Sequence, residues 1–305
     1  MVGRPVMSEP MTAAQAAALS HVRALAEGDR NVAIQRAAKV LARAGVDVGV
    51  GELCTRVAAV GRVGLNFHPD RIAADGRTVA EALLENGIYR NQFETRISNG
   101  GLGAVREGFE ERLFAGVYQQ GGVLPSERPK YGGLDLVRHP DGPCPRFGSC
   151  HLRLRHGVLR RSTFSFGDSV SDPTAVGTIE LFEPVLSALL DAAEAGGHTS
   201  AIAPCETLLG LHEPSVAMLV CLLVDGPQAR SEPGRALDDY IEAQVHGAVL
   251  LGDDVEALVA DPSYQGTAVG AHLEQMARRY RFELSWHQGF QLGANEVPEG
   301  FADHR

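Results

Sequence analysis

The chain has 305 residues and a formal net charge of −10, from 28 Lys and Arg against 38 Asp and Glu. This acidic balance argues against general nucleic-acid binding, which needs cations to neutralise phosphates. The composition, 44% hydrophobic and 22% charged, is typical of a soluble globular protein. The sequence contains no apolar run of the roughly 18 residues that a membrane span requires, so we expect no membrane association.

The number of cysteines and the pattern of the N-terminal residues bear on the cellular compartment in which the protein is expected. Five scattered cysteines, an odd number, favour reduced thiols over a disulfide framework. No positively charged start followed by an apolar core is present, as a secretory signal would require. We therefore expect a cytoplasmic protein, with secretion as an effector lacking a conventional signal peptide as the alternative. The cysteines are Cys54, Cys144, Cys150, Cys205 and Cys221.

The first part of the chain predicts helices. Residues 12–27 are rich in alanine with helical periodicity and precede Gly28, and residues 31–44 repeat the pattern before Gly45. Glycine commonly follows the last turn of a helix, so we predict two short helices packed as a hairpin. Residues 46–58 predict a third helix or a linker.

A strand that ends in a proline-containing turn lies at the centre of the prediction. Residues 63–67, VGLNF, form a short apolar run typical of a strand, and the sequence HPDR follows. Pro69 cannot donate to a sheet ladder and favours an extended conformation at His68. We therefore expect His68 and Arg71 where this strand ends.

A helix and a polar segment follow the turn. The helix is predicted to begin at Thr78 and to end at Gly87, which is typical of a left-handed cap. The next residues carry many different hydrogen-bonding side chains beside a glycine pair, more than contact with solvent requires. For each residue taken singly, a polar loop is the alternative. Together they predict one wall of a small-molecule site, formed by Tyr89, Arg90, Asn91, Gln92, Glu94, Arg96, Ser98, Asn99, Gly100 and Gly101.

The remaining patterns alternate between strand and helix. Strands are predicted at residues 134–137, 147–154, 161–166 and 282–286, and a strand or hairpin at 241–251. Helices are predicted at residues 110–114, 182–195 and 267–280, with about one helical turn at 254–259 and a buried helix or strand at 215–224. The sequence HPDG at residues 139–142 predicts a turn. This mixture indicates an α+β fold with one large domain at residues 59–305 and a helical N-terminal extension at residues 1–58.

Three segments, in chain order, resemble the ADP-ribosyltransferase superfamily. In that family a first strand carries Arg or His, a central strand carries Ser and Thr, and a late strand carries a catalytic Glu. Here LNFHPDR, RSTFSFGDS and YIEAQVHG occupy those places, and the helix TVAEALLENG follows the first strand. The resemblance implies a split β-sheet core in residues 59–305. It also implies that NAD is the substrate and that Glu242 is the catalytic residue.

The resemblance assigns further roles in the site. Cleavage of the nicotinamide–ribose bond passes through an oxocarbenium-like state, which the carboxylate of Glu242 would stabilise. Cofactor-binding roles are implied for Arg71 on the pyrophosphate, for His68 on a ribose hydroxyl and for Tyr89 on the nicotinamide. Which of His68, Arg71 and Arg90 is the first-motif residue stays open. The remaining assigned residues are Thr163, Ser165 and Gln244, and the acceptor of ADP-ribose is open among protein, nucleic acid and small molecule.

A second resemblance covers more of the chain. The segments YRNQFETRISNGG, RPKYGGLDL, FGSCHLRL and YIEAQVHG resemble an uncharacterised bacterial family of unknown function, DUF3626. This likeness extends over most of residues 60–290. It implies no activity.

Two other functions remain as alternatives. His139, Cys144, Cys150 and His151 are residue types that bind zinc, as in a metal-dependent hydrolase. The spacing Cys-x₅-Cys matches no standard zinc pattern, and neighbouring strand residues point to opposite faces. We therefore expect no metal site. The other alternative is a nucleotide-binding module without catalysis.

Overall fold

The computed structural model describes residues 10–95, 104–168, 173–197, 207–226, 237 and 239–289. The helices are α1 Ala13–Arg43, α2 Val50–Val60, α3 Val79–Asn86, α4 Gln92–Thr95, α5 Ala104–Leu113, α6 Glu183–Glu194, α7 Val216–Asp225, α8 Leu251–Asp254 and α9 Ala268–Tyr280. The strands are β1 Arg62–Phe67, β2 Ile88–Tyr89, β3 Lys130–Asp135, β4 Cys150–Leu154, β5 Ser162–Phe166, β6 Val176–Thr178, β7 Thr207–Leu208, β8 Leu211–His212, β9 Ile241–Val245, β10 Val249–Leu250, β11 Val255–Ala260 and β12 Glu283–Trp286.

The core of the protein is a mixed sheet of eight strands. Their order is β12-β11-β4-β1-β3-β9-β5-β6. The pair β11–β12 is parallel and is joined by α9, whereas the other neighbours are antiparallel. This architecture confirms the predicted α+β class with a helical N-terminal region.

The two faces of the sheet differ in polarity. Side chains alternate along a strand, so Ile241, Ala243 and Val245 of β9 lie on one face and Glu242 and Gln244 on the other. The first face is apolar and belongs to the main hydrophobic cluster, to which α6, α7 and α2 contribute. The second face carries the polar side chains of Thr163, Ser165, Glu242 and Gln244.

The prediction of two short helices in the first part of the chain is wrong, because α1 is one long helix. It runs without interruption from Ala13 to Arg43, and Gly28 lies inside it. Its buried residues form one continuous stripe, so packing along the whole length outweighs the cost of an interior glycine, which is about 1 kcal/mol relative to alanine. These buried residues include Ala18, Val22, Ala26, Ala33, Ala37 and Val40.

Helix α1 packs beside α6. Three arginines of α1 form ion pairs with carboxylates of α6, and the residue numbers of both partners rise in the same direction along the two helices. The guanidinium of Arg30 lies 2.8 Å from Glu183. That of Arg36 lies 2.6 Å from Asp191 and that of Arg43 lies 2.6 Å from Glu194. The two helices are therefore parallel neighbours, with the ion pairs flanking an apolar contact.

The segment 254–259 is the clearest error of the prediction. Asp254 ends α8, and residues 255–259 belong to β11, a largely buried strand next to β4. A short apolar run does not distinguish a buried strand from a helix by periodicity alone. Of the strand or hairpin predicted at 241–251, the strand is confirmed as β9 and the hairpin is not formed, because β10 pairs with β2 and β9 pairs with β3 and β5. Strand β3 begins at Lys130, four residues before its predicted start.

Several predicted elements are confirmed. Strand β1 ends at Phe67, and α3 begins after Thr78 with a capping box and ends at Gly87, whose φ is +67°. The segment 215–224 is a helix. Helices α6 and α9 and strand β12 lie where their periodicity placed them. None of the described helices has the length and apolar character that a membrane crossing requires.

Candidate functional site

A cavity of about 340 Å³ opens where β1 ends. Its wall is built from the HPDR turn, α3, β2 and α4, with Tyr131 of β3 and Phe147 closing one side. The volume lies within the range of about 300–1,000 Å³ that is usual for small-molecule sites. Four of the predicted cofactor-binding residues line it: His68, Arg71, Tyr89 and Arg90.

Backbone hydrogen bonds hold the HPDR turn against the start of α3. The N–H of Ala80 donates to the carbonyl of Pro69 at 2.9 Å, and that of Val79 donates to the carbonyl of Arg71 at 2.9 Å. The turn is therefore tied to a capped helix on one side and to a central strand on the other. This arrangement gives His68 and Arg71 a defined position in the cavity wall.

The opposite side of the cavity is held by β2 and the segment after it. Tyr89 pairs with Val249 of β10. The side-chain amide of Asn91 donates to the carbonyls of Pro125 and Arg128 at 2.7 and 3.1 Å. Asn91 is thus a framework residue that fixes the loop. The remaining predicted members of this wall, Arg96, Ser98, Asn99, Gly100 and Gly101, lie outside the described residues.

The cavity wall carries charged groups of both signs, two arginines and the carboxylates of Asp75 and Glu94, together with aromatic side chains. Arg71 and Arg90 are exposed at its rim. Partial burial and the neighbouring Arg71 lower the pKa of His68, so its imidazole is neutral near pH 7. Burial raises the pKa of Tyr89 to about 12, so its hydroxyl keeps its proton. The site therefore contains two guanidinium groups, two carboxylates, a neutral imidazole and a phenol.

The other predicted residues meet on the polar face of the sheet. The side-chain N–H of Gln244 donates to Glu242 Oε1 at 2.8 Å and to Ser165 Oγ at 3.2 Å. The hydroxyl of Thr163 donates to Gln244 Oε1 at 2.7 Å. Glu242 is 3% exposed and the other three are fully buried. The structure therefore brings Thr163, Ser165, Glu242 and Gln244 together in one hydrogen-bonded group, called the carboxylate ladder below.

A loop crosses the polar face next to Glu242. Gly133 is the register partner of Glu242, and a Cβ added there would lie 2.5 Å from the sulfur of Cys144. Asn66 holds this loop because its amide donates to the carbonyls of Asp141 and Gly148 at 2.6 and 2.8 Å. Glycine at position 133 is therefore what lets the loop lie against the sheet beside the carboxylate.

The cavity and the carboxylate ladder are neighbours on the same sheet. Tyr131 lines the cavity, and on β3 it pairs with Gln244 of the ladder. Phe147 also lines the cavity and contacts the ring of Tyr240 edge to face at 6.2 Å. Within the described residues this connection is indirect, because the ladder residues do not belong to the cavity wall.

Sequence reasoning missed several residues of the site. Tyr131 lies in the cavity wall with its hydroxyl donating to the buried Glu110 at 3.0 Å. Phe147 closes the same wall. Asn66 had a signal, a polar residue inside the apolar run VGLNF. Tyr131 and Phe147 had none, because their roles depend on which strands become neighbours.

The four His and Cys residues considered for a metal do not form a group. His139 contacts the carbonyl of Leu209 at 2.8 Å. The sulfur of Cys150 accepts from the N–H of Asp261 at 3.3 Å. Within the described part of the chain, no three His, Cys, Asp or Glu side chains lie where they would hold one metal ion.

The geometry thus defines a mixed α+β protein with a cavity where β1 ends and, on the same sheet but outside the cavity wall, a buried carboxyl group. The chain belongs to the DUF3626 family, described as a protein of unknown function, whose profile matches residues 62–304. No curated protein matches the chain.

Proposed function

We propose that the protein is an NAD-dependent ADP-ribosyltransferase with an ADP-ribosyltransferase-like core, acting in the cytoplasm. It cleaves the nicotinamide–ribose bond and transfers ADP-ribose to an acceptor, of which a protein is the first candidate. One observation carries the proposal. A carboxyl group on a central strand, Glu242, is hydrogen-bonded to Gln244 and grouped with Ser165 and Thr163, on the same sheet as a cavity whose wall includes Arg71 and Arg90.

The chemistry of the carboxylate supports this reaction. Loss of nicotinamide leaves positive charge on the ribose, and a fixed carboxylate stabilises such a state more strongly in a water-poor site than in solvent. Glu242 is buried and held by a side-chain N–H of Gln244 at 2.8 Å. The proposed reaction needs a carboxyl group in a fixed position, and this hydrogen bond supports that requirement.

The residues of the cavity support binding of a dinucleotide. Arg71 and Arg90 offer planar guanidinium groups that match phosphate oxygens. Tyr89, Tyr131 and Phe147 offer aromatic rings that suit a flat heterocycle. We assign the pyrophosphate to the arginine rim and the nicotinamide end to the aromatic side, which lies nearer the carboxylate ladder.

The test is release of nicotinamide from NAD by the purified full-length chain, with water or added protein as acceptor. Glu242→Gln keeps the shape and removes the charge, so we expect a fall in kcat of about 100-fold or more. The matched control is Glu283→Gln, an exposed glutamate on β12 that we expect to retain full activity. An inactive wild-type chain, or equal rates for Glu242→Gln and wild type, would contradict the proposal.

A nucleotide-binding module without turnover is the second candidate. The observation that favours it is that Glu242 is 3% exposed and lies in the ladder instead of the cavity wall. This candidate predicts NAD binding by calorimetry, weakened in Arg71→Ala and Arg90→Ala, with no nicotinamide released. Glu242→Gln would then bind NAD as the wild type does.

A further inference from the structure

We propose that Tyr118 and His246 are positioning residues that fix the carboxylate of Glu242 through Thr163 and Gln244. The inference rests on the proposed role of Glu242. It concerns Tyr118, which lies in none of the quoted segments, and His246, which lies in the segment YIEAQVHG without an assigned role.

A continuous chain of hydrogen bonds joins these residues. The hydroxyl of Tyr118 lies 2.6 Å from Nδ1 of His246, and Nε2 of the same ring lies 3.2 Å from the hydroxyl of Thr163. Thr163 is 2.7 Å from Gln244 Oε1, and Gln244 Nε2 is 2.8 Å from Glu242 Oε1. All five side chains are at least 97% buried, and the contact between Tyr118 and His246 spans 128 positions of sequence.

The amide of Gln244 sets the direction of the other hydrogen bonds. Its N–H₂ group donates to Glu242 Oε1 and to Ser165 Oγ, so its oxygen faces Thr163. Thr163 has one proton, which it donates to that oxygen, so it must accept from Nε2 of His246. His246 is then protonated at Nε2 and accepts at Nδ1 from the hydroxyl of Tyr118. Each of the five groups takes the only orientation that satisfies its neighbours.

The surroundings of His246 favour this arrangement. Burial, with Lys130 and Arg161 nearby, lowers the pKa of His246 to about 3, so the ring is neutral and has one protonated nitrogen. The guanidinium of Arg161 donates to the backbone carbonyl of His246 at 2.6 Å. Burial also raises the pKa of Tyr118 far above its usual range, so the phenol keeps the proton that it donates.

Packing fixes Tyr118 and His246, which form the end of the hydrogen-bond series farthest from Glu242. The rings of Tyr118 and His246 are stacked with an interplanar angle of 8°, and Phe114 contacts both edge to face. Ala18 and Val22 of α1 belong to the same apolar cluster. The N-terminal helix therefore supports the orientation of Glu242, although α1 lies outside the residues that the family profile matches.

The test compares two threonines that face each other on neighbouring strands. Thr163 and Thr178 are register partners on β5 and β6. Thr163→Val removes the link between His246 and Gln244, whereas Thr178→Val removes a hydroxyl for which the described residues offer no hydrogen-bond partner. Tyr118→Phe removes the hydrogen bond to His246 at the other end of the series and changes no residue of the sheet. The variants are examined by nitrogen NMR of the His246 ring, by carbon NMR of the Glu242 carboxyl group and by NAD turnover.

We expect wild-type His246 to carry its proton on Nε2 and the Glu242 carboxyl signal to shift in Thr163→Val and Tyr118→Phe but not in Thr178→Val. We expect kcat to fall about 10-fold or more in the first two with KM for NAD nearly unchanged, because displacement of a catalytic group can cost up to about 100-fold. A proton on Nδ1, or unchanged Glu242 signals in both variants, would overturn the inference. An inactive wild type with the expected spectral shifts would overturn the transferase function while supporting the positioning role.

Discussion

Thr163 and Thr178 lie opposite each other, yet their hydroxyl groups have different environments. That of Thr163 donates to Gln244, whereas that of Thr178 is buried without a partner in the described residues. Losing one member of a buried hydrogen bond costs about 1–3 kcal/mol, because the partner is left unsatisfied. We expect Thr163→Val to lower the free energy of unfolding by that amount and Thr178→Val to leave it unchanged or raise it. Urea denaturation of both variants measures the difference, and equal losses would contradict this view of the sheet.

The cysteines provide a second comparison between single residues. Burial raises the pKa of Cys150 to about 12 and that of Cys54 to about 12, whereas Cys221 on α7 is exposed. The thiolate is the reactive form, so we expect iodoacetamide at pH 8 to modify Cys221 before Cys54 and Cys150 in the native protein. Mass spectrometry of the three peptides gives the order, and Cys221→Ser identifies the signal of that residue. Fast modification of Cys150 would show that its strand opens readily.

The residues of the site differ in how far the sequence could reveal them. Glu242, Gln244, Thr163 and Ser165 were recognised because motifs carry them, and the structure brings the four together. Tyr118 had no such signal. Its contact with His246 depends on the packing of α5 and α1 against the end of β9, and local patterns do not encode a contact over 128 positions.

At the scale of elements, Gly28 offers the sharpest prediction. It lies exposed inside α1, and an added Cβ would meet nothing within 4 Å. We expect Gly28→Ala to raise the free energy of unfolding by up to about 1 kcal/mol, because alanine loses less backbone entropy in a helix. The matched control is Gly45→Ala, which also has open space but a φ of +68° and should destabilise. Thermal unfolding distinguishes the two, and a loss of stability in Gly28→Ala would support the predicted break in the helix.

Elements bounded by capping residues could be predicted from the sequence, whereas elements whose structure depends on neighbouring strands could not. Thr78 and Gly87 bracket α3, and Thr267 caps α9, so their boundaries follow from local capping rules. Strand β11 has no such marks, and only its place between β4 and β12 makes its apolar run a strand. Gly28 led to the wrong prediction of a helix end. The helix continues through this glycine because the residues before and after it pack on the same surface.

At the scale of the whole molecule, two buried histidines couple stability to pH. His151 and His246 each have a pKa lowered to about 3 by burial, against about 6.5 in an unfolded chain. Between these values the unfolded state binds more protons, so stability must fall as pH decreases from about 6.5 towards 3. The slope is at most about 1.4 kcal/mol per pH unit for each histidine. Urea unfolding at pH 7 and pH 5 measures it.

Variants separate the histidines from general weakening of the fold. His246→Asn should reduce the dependence of stability on pH, since one proton fewer is taken up on unfolding. Leu258→Ala, at a fully buried position of β11, should lower stability by about 2–5 kcal/mol without changing that dependence. An unchanged slope in His246→Asn would mean that this ring is already protonated in the folded protein.

The last prediction concerns the boundary between the predicted extension and the larger domain. Helix α1 buries a stripe of apolar residues against α6 and β6, and Ala18 and Val22 support Tyr118. Each square ångström of apolar surface uncovered costs about 25 cal/mol. We therefore expect a fragment of residues 59–305 to lose cooperative unfolding and to bind a hydrophobic dye.

In the full chain, Val22→Asp should cause a similar loss of cooperative unfolding, because it buries an unpaired charge. Arg36→Gln removes only an exposed ion pair and should change stability by less than about 1 kcal/mol. A fragment that unfolds cooperatively at the same midpoint as the full chain would show that the family's matched region is a domain on its own. The positioning role assigned to α1 would then have to rest on Tyr118 alone.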